Sequence, residues 1–261
     1  MNKELNIILN PVKNGISRIK LNEPSTYNAL SLDTIKSLIK IFNYLNNDKK
    51  TKVIIIEGSG KGFSAGHNLK EIKSLRGKPD YLKLFNLCSK LMINIVNNKK
   101  PVIAKVHGAA FAAGCQLVAT CDLALSTNDA IFATPGVNIG LFCSTPMVAV
   151  SRNVNKKNTM KMLLTGEPIS AKHAKEIGLI NDYFESSQLE EEVLKLAEVI
   201  SSKSSKVVKI GKKAFYNQLE MPLKAAYKYT SKIMTENMMT LDAQEGISAF
   251  IEKRKPKWKN K

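Results

Sequence analysis

The spacing of apolar and polar residues predicts a mixed α/β fold. Residues 5–9 and 15–21 are apolar or alternating segments on either side of Asn14-Gly15, a dipeptide typical of tight hairpins. Ser31 is a good N-cap for a helix whose apolar residues recur every three or four positions, at Ile35, Leu38, Ile39, Phe42 and Leu45. The unbroken apolar run 53–56 predicts a buried strand.

Further along the chain, the same reasoning predicts an amphipathic helix over 80–97, a strand over 102–106, a helix from Ala113 and a strand over 122–126. Beyond residue 144 helical periodicity dominates, in the segments 170–176, 187–201, 205–218, 222–238 and 241–254. The sequence thus predicts an α/β core over residues 1–190, followed by a helical region over 191–261.

Two glycine-containing segments, 62–69 and 108–116, follow the predicted strands 53–56 and 102–106. Small-residue turns just beyond two strands can direct two backbone N–H groups at one point, which is a way to build an oxyanion hole. The second segment also begins a predicted helix, whose dipole would add positive potential there.

Composition narrows the class of protein. The chain has 261 residues and a formal net charge of +18, with lysine spread through every segment rather than gathered into a basic arm. We therefore interpret the charge as mainly compositional, with part of the excess able to serve an anionic small molecule, and expect no nucleic-acid partner. Four cysteines show no zinc-binding spacing, so no metal site is predicted, and no apolar run is long enough for a membrane span. We expect a cytoplasmic location, or the mitochondrial matrix if a presequence has been removed.

Five blocks, in order along the chain, resemble the crotonase (enoyl-CoA hydratase/isomerase) superfamily. They are Leu21-Asn-Glu-Pro with Asn28-Ala-Leu, the segment 62–69, the block 105–122, the pair 165–171 and 178–179, and the segment 245–256. The resemblance implies a spiral of ββα units with a mostly helical C-terminal part that forms homotrimers or hexamers. It implies an acyl-CoA thioester as the ligand, with coenzyme A as part of the substrate and no separate cofactor.

The resemblance also implies roles for particular residues. The backbone N–H groups of His67 and Ala113 would hold the thioester oxygen, and the carbonyl of Ala65 would lie near the adenine. Lys70, and Lys253 from a neighbouring subunit, would contact the phosphates of coenzyme A, although a solvated surface role for either lysine stays open.

Two departures from the family pattern bear on the reaction. Hydration uses one carboxylate to activate water and another to deliver a proton, and both positions have changed here, to Gln116 and Gly136. Each such group contributes about 10²–10⁴ in rate, so efficient hydration is not expected, and Gln116→Glu with Gly136→Glu should raise it. Among other acidic residues, Asp122 is interpreted as structural, and Glu71 as facing solvent or pairing with a lysine.

Several interpretations stay open. The His67 side chain is either a hydrogen-bonding wall or a catalyst, because Ser64-Ala-Gly-His also resembles the methylmalonyl-CoA decarboxylase branch. The tyrosine of that branch is replaced by Cys143, which is interpreted as a buried hydrophobe rather than a nucleophile. His107 and His173 are interpreted as structural. The function is an enolate-stabilising acyl-CoA enzyme, an acyl-CoA decarboxylase or isomerase, or a non-catalytic acyl-CoA binder.

Overall fold

The structure, a computed structural model, describes residues 6–260. Its strands are β1 Ile7–Lys13, β2 Ile16–Leu21, β3 Val53–Gly58, β4 Gly62–Ser64, β5 Val102–Val106, β6 Ala109–Phe111, β7 Leu123–Thr127, β8 Ile131–Ala133, β9 Ile169–Ser170 and β10 Asp182–Phe184. Its α-helices are α1 Leu32–Asn47, α2 Leu69–Ser74, α3 Lys78–Val96, α4 Ala113–Thr120, α5 Pro146–Val150, α6 Lys156–Thr165, α7 Ala171–Glu176, α8 Ser186–Ser201, α9 Ser205–Leu219, α10 Leu223–Met238 and α11 Leu241–Ile251. Short 3₁₀ helices span Pro24–Thr26 and Pro135–Ile139. Residue 5 of the first predicted strand lies outside the described residues.

The larger sheet has the strand order β1-β2-β3-β5-β7-β10. The hairpin predicted at Asn14-Gly15 is confirmed: β1 and β2 pair antiparallel, with Ile7 opposite Leu21. The other pairs are parallel, and every residue of β3 is buried, as the apolar run predicts. The confirmed α1 begins at its Ser31 cap, whose hydroxyl oxygen accepts from the N–H of Thr34 at 3.1 Å.

A second sheet, β4-β6-β8-β9, was not predicted. Its strands are two or three residues long, too short to produce a recognisable alternation. The segments 62–69 and 108–116, interpreted from the sequence as turns, therefore begin with strands β4 and β6, which pair in parallel. The three units that begin with β3, β5 and β7 each add a long strand to the first sheet and a short strand to the second, and helical segments follow. This arrangement confirms the predicted ββα units and the helical C-terminal part.

Helix α8 packs on the larger sheet through its buried residues Leu189, Val193 and Ala197. The predicted boundary between residues 190 and 191 falls within this helix, and the helices that follow it begin with α9. The division into two regions stays a prediction. Within residues 6–260, no helix is both long and apolar enough to cross a bilayer.

Asp122 is structural, as expected, and it fastens α9 to the core. Its carboxylate accepts from the backbone N–H of Val102 at 2.7 Å, from Nζ of Lys212 at 2.6 Å and from the hydroxyl of Tyr216 at 3.0 Å. Burial lowers the pKa of Lys212, and the adjacent Asp122 charge opposes that shift. The ammonium group also donates to the carbonyls of Ile95 and Lys100, so all three of its donors have partners.

Helix α11 ends three residues before the predicted limit at residue 254. Lys253 adopts a left-handed conformation, with φ of 53°. The N–H of Lys253 then bonds to the carbonyl of Phe250, and the N–H of Arg254 bonds to the carbonyl of Ala249. This is a Schellman motif, in which glycine is the usual left-handed residue.

Candidate active site

Gly66 brings the two glycine-containing segments into direct backbone contact. Its φ is +88°, and a Cβ at this position would lie 2.8 Å from the carbonyl oxygen of Phe111 and 3.0 Å from the backbone nitrogen of Ala113. In the same region, a Cβ on Gly114 would lie 2.2 Å from the carbonyl oxygen of Ser64. Only glycine fits these two positions, so the ends of β4 and β6 meet main chain to main chain.

The N–H groups of His67 and Ala113 lie beside this contact. His67 forms a parallel bridge with Leu30, in which the N–H of Leu30 donates to the carbonyl of Gly66 at 2.7 Å. In this pattern the N–H of His67 points away from Leu30. Ala113 is the first residue of α4, so its N–H has no partner within the helix. Ala112, just before it, has φ of 49° and ψ of −115°, a conformation that is rare for a non-glycine residue and costs free energy.

The imidazole of His67 is held in one tautomer. Its Nδ1 lies 3.3 Å from the carbonyl oxygen of Leu30, and because a carbonyl can only accept, the proton is assigned to Nδ1. The ring meets Phe85 edge-on, with the centroids 5.8 Å apart. Burial lowers the pKa of His67, which leaves the ring neutral at pH 7. Nε2 is buried and has no hydrogen-bond partner among residues 6–260, so its lone pair is unpaired, and both roles considered for His67 stay predictions.

Gln116 lies on the buried α4 and is 3 % exposed. Its side-chain oxygen lies 3.9 Å from Sγ of Cys88, a thiol that can donate to it. Burial raises the pKa of Cys88 to about 12, so the thiol stays protonated. The two side chains therefore form a neutral pair on the interior side of α4.

Gly136 has no room for a side chain. A Cβ there would lie 2.4 Å from the carbonyl oxygen of Leu141 and 2.9 Å from Sγ of Cys143. The N–H of Leu141 donates back to the carbonyl of Gly136 at 2.9 Å, which closes the loop over this position. The expectation that Gly136→Glu together with Gln116→Glu raises hydration stays a prediction, and the structure adds that the main chain around Leu141 would have to shift to admit the new side chain. Cys143 is 7 % exposed and burial raises its pKa, in agreement with a buried hydrophobe.

The acidic residues between Gly58 and Val150 bind backbone or side-chain groups of the protein or lie in an exposed turn. Glu71 accepts from the N–H of Leu32 at 2.9 Å, at the start of α1. The expectation that it faces solvent or pairs with a lysine is therefore corrected: the carboxylate caps a helix N-terminus, where its charge is favoured. Asp80 accepts from the N–H of Arg76 at 3.1 Å, and Asp129 lies in the exposed turn between β7 and β8.

The other two histidines also contact protein groups. Nε2 of His107 lies 2.9 Å from the carbonyl of Gly60, and Nδ1 of His173 lies 3.3 Å from the carboxylate of Glu176. These contacts support the structural interpretation of both.

The family described as enoyl-CoA hydratase/isomerase matches residues 11–261. The human protein named enoyl-CoA hydratase domain-containing protein 3, mitochondrial, is 48 % identical over 244 residues, which cover 94 % of this chain and 80 % of that protein. The chain belongs to the enoyl-CoA hydratase/isomerase family.

Solved structures of family members match the fold closely. The crystal structure of an enoyl-CoA hydratase from Mycobacterium smegmatis gives a TM-score of 0.96 at 44 % identity, covering 98 % of this chain and 99 % of that one. The crystal structure of human enoyl-CoA hydratase domain-containing protein 3 gives 0.95 at 46 % identity, covering 97 % and 100 %. These matches confirm the crotonase-type fold. The location of this chain stays a prediction.

Asn28 belongs to the family motif Asn28-Ala-Leu, but sequence reasoning gave it no task. It is buried, and its side-chain amide donates to the carbonyls of Ser59 at 2.8 Å and Gly62 at 2.9 Å. Its side-chain oxygen accepts from the N–H of Glu23 at 2.9 Å, and its carbonyl accepts from the hydroxyl of Ser64, also at 2.9 Å. The side chain of Asn28 thus holds the first residue of β4 and its main chain holds the last, next to the backbone contact.

The residues that the family resemblance assigns to coenzyme A are exposed. Ala65 lies at the outer end of β4, and its N–H donates to the carbonyl of Tyr27 at 2.9 Å. Lys70 lies in the first turn of α2, where its N–H donates to the side chain of Asn68 at 3.1 Å. Lys253 lies just beyond α11. Their contacts with a ligand stay predictions.

Gly66→Ala should destabilise the fold much more than Gly140→Ala. Both glycines have positive φ, +88° and +75°, so alanine pays a similar conformational cost of about 1 kcal/mol at either position. At Gly140 nothing lies within 4 Å of an added Cβ, whereas at Gly66 backbone atoms lie within 3.0 Å. We expect Gly66→Ala to lower the free energy of unfolding by about 2–4 kcal/mol, measured by urea denaturation. Equal losses for the two variants would contradict the contact described above.

Proposed function

We propose that the chain binds an acyl-CoA thioester and stabilises negative charge on the thioester oxygen through the N–H groups of His67 and Ala113. The observation that carries the proposal is the backbone contact at Gly66, which keeps these two amides near one another. The strained Ala112 supports it, because such conformations concentrate at functional sites. A preorganised donor of this kind is worth about 3 kcal/mol in the transition state.

Within residues 6–260, the site offers no carboxylate for moving protons. The two positions used by hydratases hold Gln116 and the enclosed Gly136, and the acidic residues of the same region contact helix ends, Lys212 or solvent. The His67 imidazole is neutral and has its one proton on the nitrogen that faces Leu30. Enolate stabilisation with proton exchange from water is therefore the chemistry that the site supports best.

We expect hydration of crotonyl-CoA by the wild-type chain to be near background. Gln116→Glu should raise the rate by up to about 10²-fold, because a carboxylate returns at a position that needs no change in the main chain. Gln116→Leu, which keeps the volume without an ionisable group, should not raise it. The measurement is the loss of enoyl absorbance over time. Rapid turnover by the wild type would refute the proposed absence of a base.

Decarboxylation is the second candidate, and the absence of a carboxylate base favours it. The bond between the α carbon and the carboxylate breaks, its electron pair forms the thioester enolate, carbon dioxide leaves, and water returns a proton to the α carbon. Incubation with methylmalonyl-CoA, followed by mass spectrometry for propionyl-CoA, separates this activity from the others.

A non-catalytic binder would instead show affinity for acetyl-CoA that His67→Ala leaves unchanged, with no turnover.

We also propose that the C-terminal helices join copies of the chain. Large apolar side chains on α9–α11 and their connections are exposed in the single chain, among them Leu223 at 74 %, Met239 at 75 % and Phe250 at 86 %. A cavity of about 550 Å³ lies among these helices, lined mainly by apolar side chains, including Val207, Ile247 and Phe250. Monomers rarely expose large contiguous apolar patches, so we expect a second copy of the chain to cover these side chains. Sedimentation velocity should give a trimer or a hexamer that Phe250→Asp weakens and Lys255→Glu does not; a monomeric wild type would exclude this assembly.

Lys253→Gly should separate stability from ligand affinity. Lysine at a left-handed Schellman position is less favourable than glycine, so the variant should unfold with an unchanged free energy or one raised by up to about 1 kcal/mol. If Lys253 contacts a phosphate of coenzyme A, the same variant should bind acetyl-CoA several-fold more weakly in calorimetric titration. Lys255→Gly is the control on the same tail. Unchanged affinity with Lys253→Gly would rule out the phosphate contact.

A further inference from the structure

Tyr27 adopts a backbone conformation that its side chain disfavours. Its φ is 53° and its ψ is 43°, and the following Asn28 also has a positive φ, of 54°. Asparagine tolerates this region, and the hydrogen bonds of the buried Asn28 side chain account for it there. Tyrosine is bulky, and in the left-handed region it is a genuine outlier. Glycine would satisfy the backbone at this position without the cost.

The ring of Tyr27 stands at the rim of the candidate site. It is 48 % exposed, and its Cδ1 lies 3.5 Å from the position of a Cβ built on Gly62. The carbonyl of Tyr27 accepts from the N–H of Ala65 at 2.9 Å, so the tyrosine is tied to the segment that leads to Gly66. An exposed aromatic ring alone is common on protein surfaces. Here exposure, strain and attachment to the site segment coincide on one residue.

We infer that the face of the Tyr27 ring stacks on the adenine of the bound coenzyme A. This inference rests on the proposed acyl-CoA binding and adds a residue that positions the nucleotide end of the ligand. Coenzyme A carries one aromatic group, and every nucleobase offers a flat face on which an aromatic side chain can stack. Cδ1 of Tyr27 lies close to Gly62, which carries no side chain, so that edge of the ring packs near β4 while nearly half of the residue stays exposed. Such stacking changes affinity by roughly tenfold.

Two ligands that differ in the nucleotide test the inference. Acetyl-CoA and S-acetyl-pantetheine share the thioester, but only acetyl-CoA contains adenine. Tyr27→Gly should weaken acetyl-CoA binding roughly tenfold in calorimetric titration and leave S-acetyl-pantetheine binding within about twofold of the wild type. Adenosine 3′,5′-bisphosphate, which has the adenine without the thioester, should lose affinity as acetyl-CoA does. Tyr27→Phe keeps the aromatic face and should bind like the wild type.

Controls keep the test independent of folding. Glycine and asparagine both tolerate a φ of 53°, so Tyr27→Gly and Tyr27→Asn should unfold no more easily than the wild type. Tyr44→Ala is the matched control, because Tyr44 is also an exposed tyrosine, at 62 %, but lies in the regular helix α1. It should leave all three affinities unchanged.

The outcomes distinguish the inference from the proposed function. If the wild type binds neither acetyl-CoA nor adenosine 3′,5′-bisphosphate, acyl-CoA binding itself fails. If the wild type binds acetyl-CoA but Tyr27→Gly retains full affinity for it and for the bisphosphate, the stacking is overturned while the proposed function stands. If Tyr27→Gly weakens S-acetyl-pantetheine as much as acetyl-CoA, the ring shapes the thioester end of the site and the adenine assignment is overturned.

Discussion

The site depends on main chain touching main chain where β4 and β6 end. At Gly66 and Gly114 an added Cβ would fall within 3.0 Å of backbone atoms of the other segment. Because a folded interior tolerates neither voids nor overlaps, this contact fixes the separation of the two segments more tightly than any pair of flexible side chains would. The positions of the amides of His67 and Ala113 follow from that separation.

The surroundings of this contact hold it in place at several levels. The parallel pairing of β4 with β6 aligns the two segments, and Asn28 binds both ends of β4. The strain at Ala112 persists because α4, which is buried along its whole length, cannot relax without leaving the core. The unfavourable backbone conformation of Ala112 costs free energy. The pairing of β4 with β6, the bonds of Asn28 and the packing of α4 together offset that cost.

Much of this could be predicted from the sequence, and the reasons for the omissions are physical. The hairpin at Asn14-Gly15, α1 and the buried β3 follow from local patterns, since turn chemistry and periodicity act over a few residues. The family blocks pointed to His67 and Ala113 before any geometry was known. The second sheet was missed because its strands are too short to carry a pattern. The bonds of Asp122 to Lys212, and of Glu71 to Leu32, join residues far apart in the chain, so no local signal announces them.

Gln116 and Gly136 look alike in the sequence, as two lost glutamates, but the structure separates them. Gln116 lies on the regular helix α4 and already carries a side chain of the same length as glutamate, whereas Gly136 is enclosed by the carbonyl of Leu141 and by Cys143. A carboxylate at position 116 requires only that the side-chain amide nitrogen be replaced by oxygen. A carboxylate at position 136 requires the main chain over residues 136–143 to move. The enclosed Gly136 thus argues against a pair of carboxylates at these two positions, whereas the proposed role of the His67 and Ala113 amides depends on neither of them. A pocket of that kind suits reactions in which the thioester oxygen bears the charge and the solvent supplies the proton.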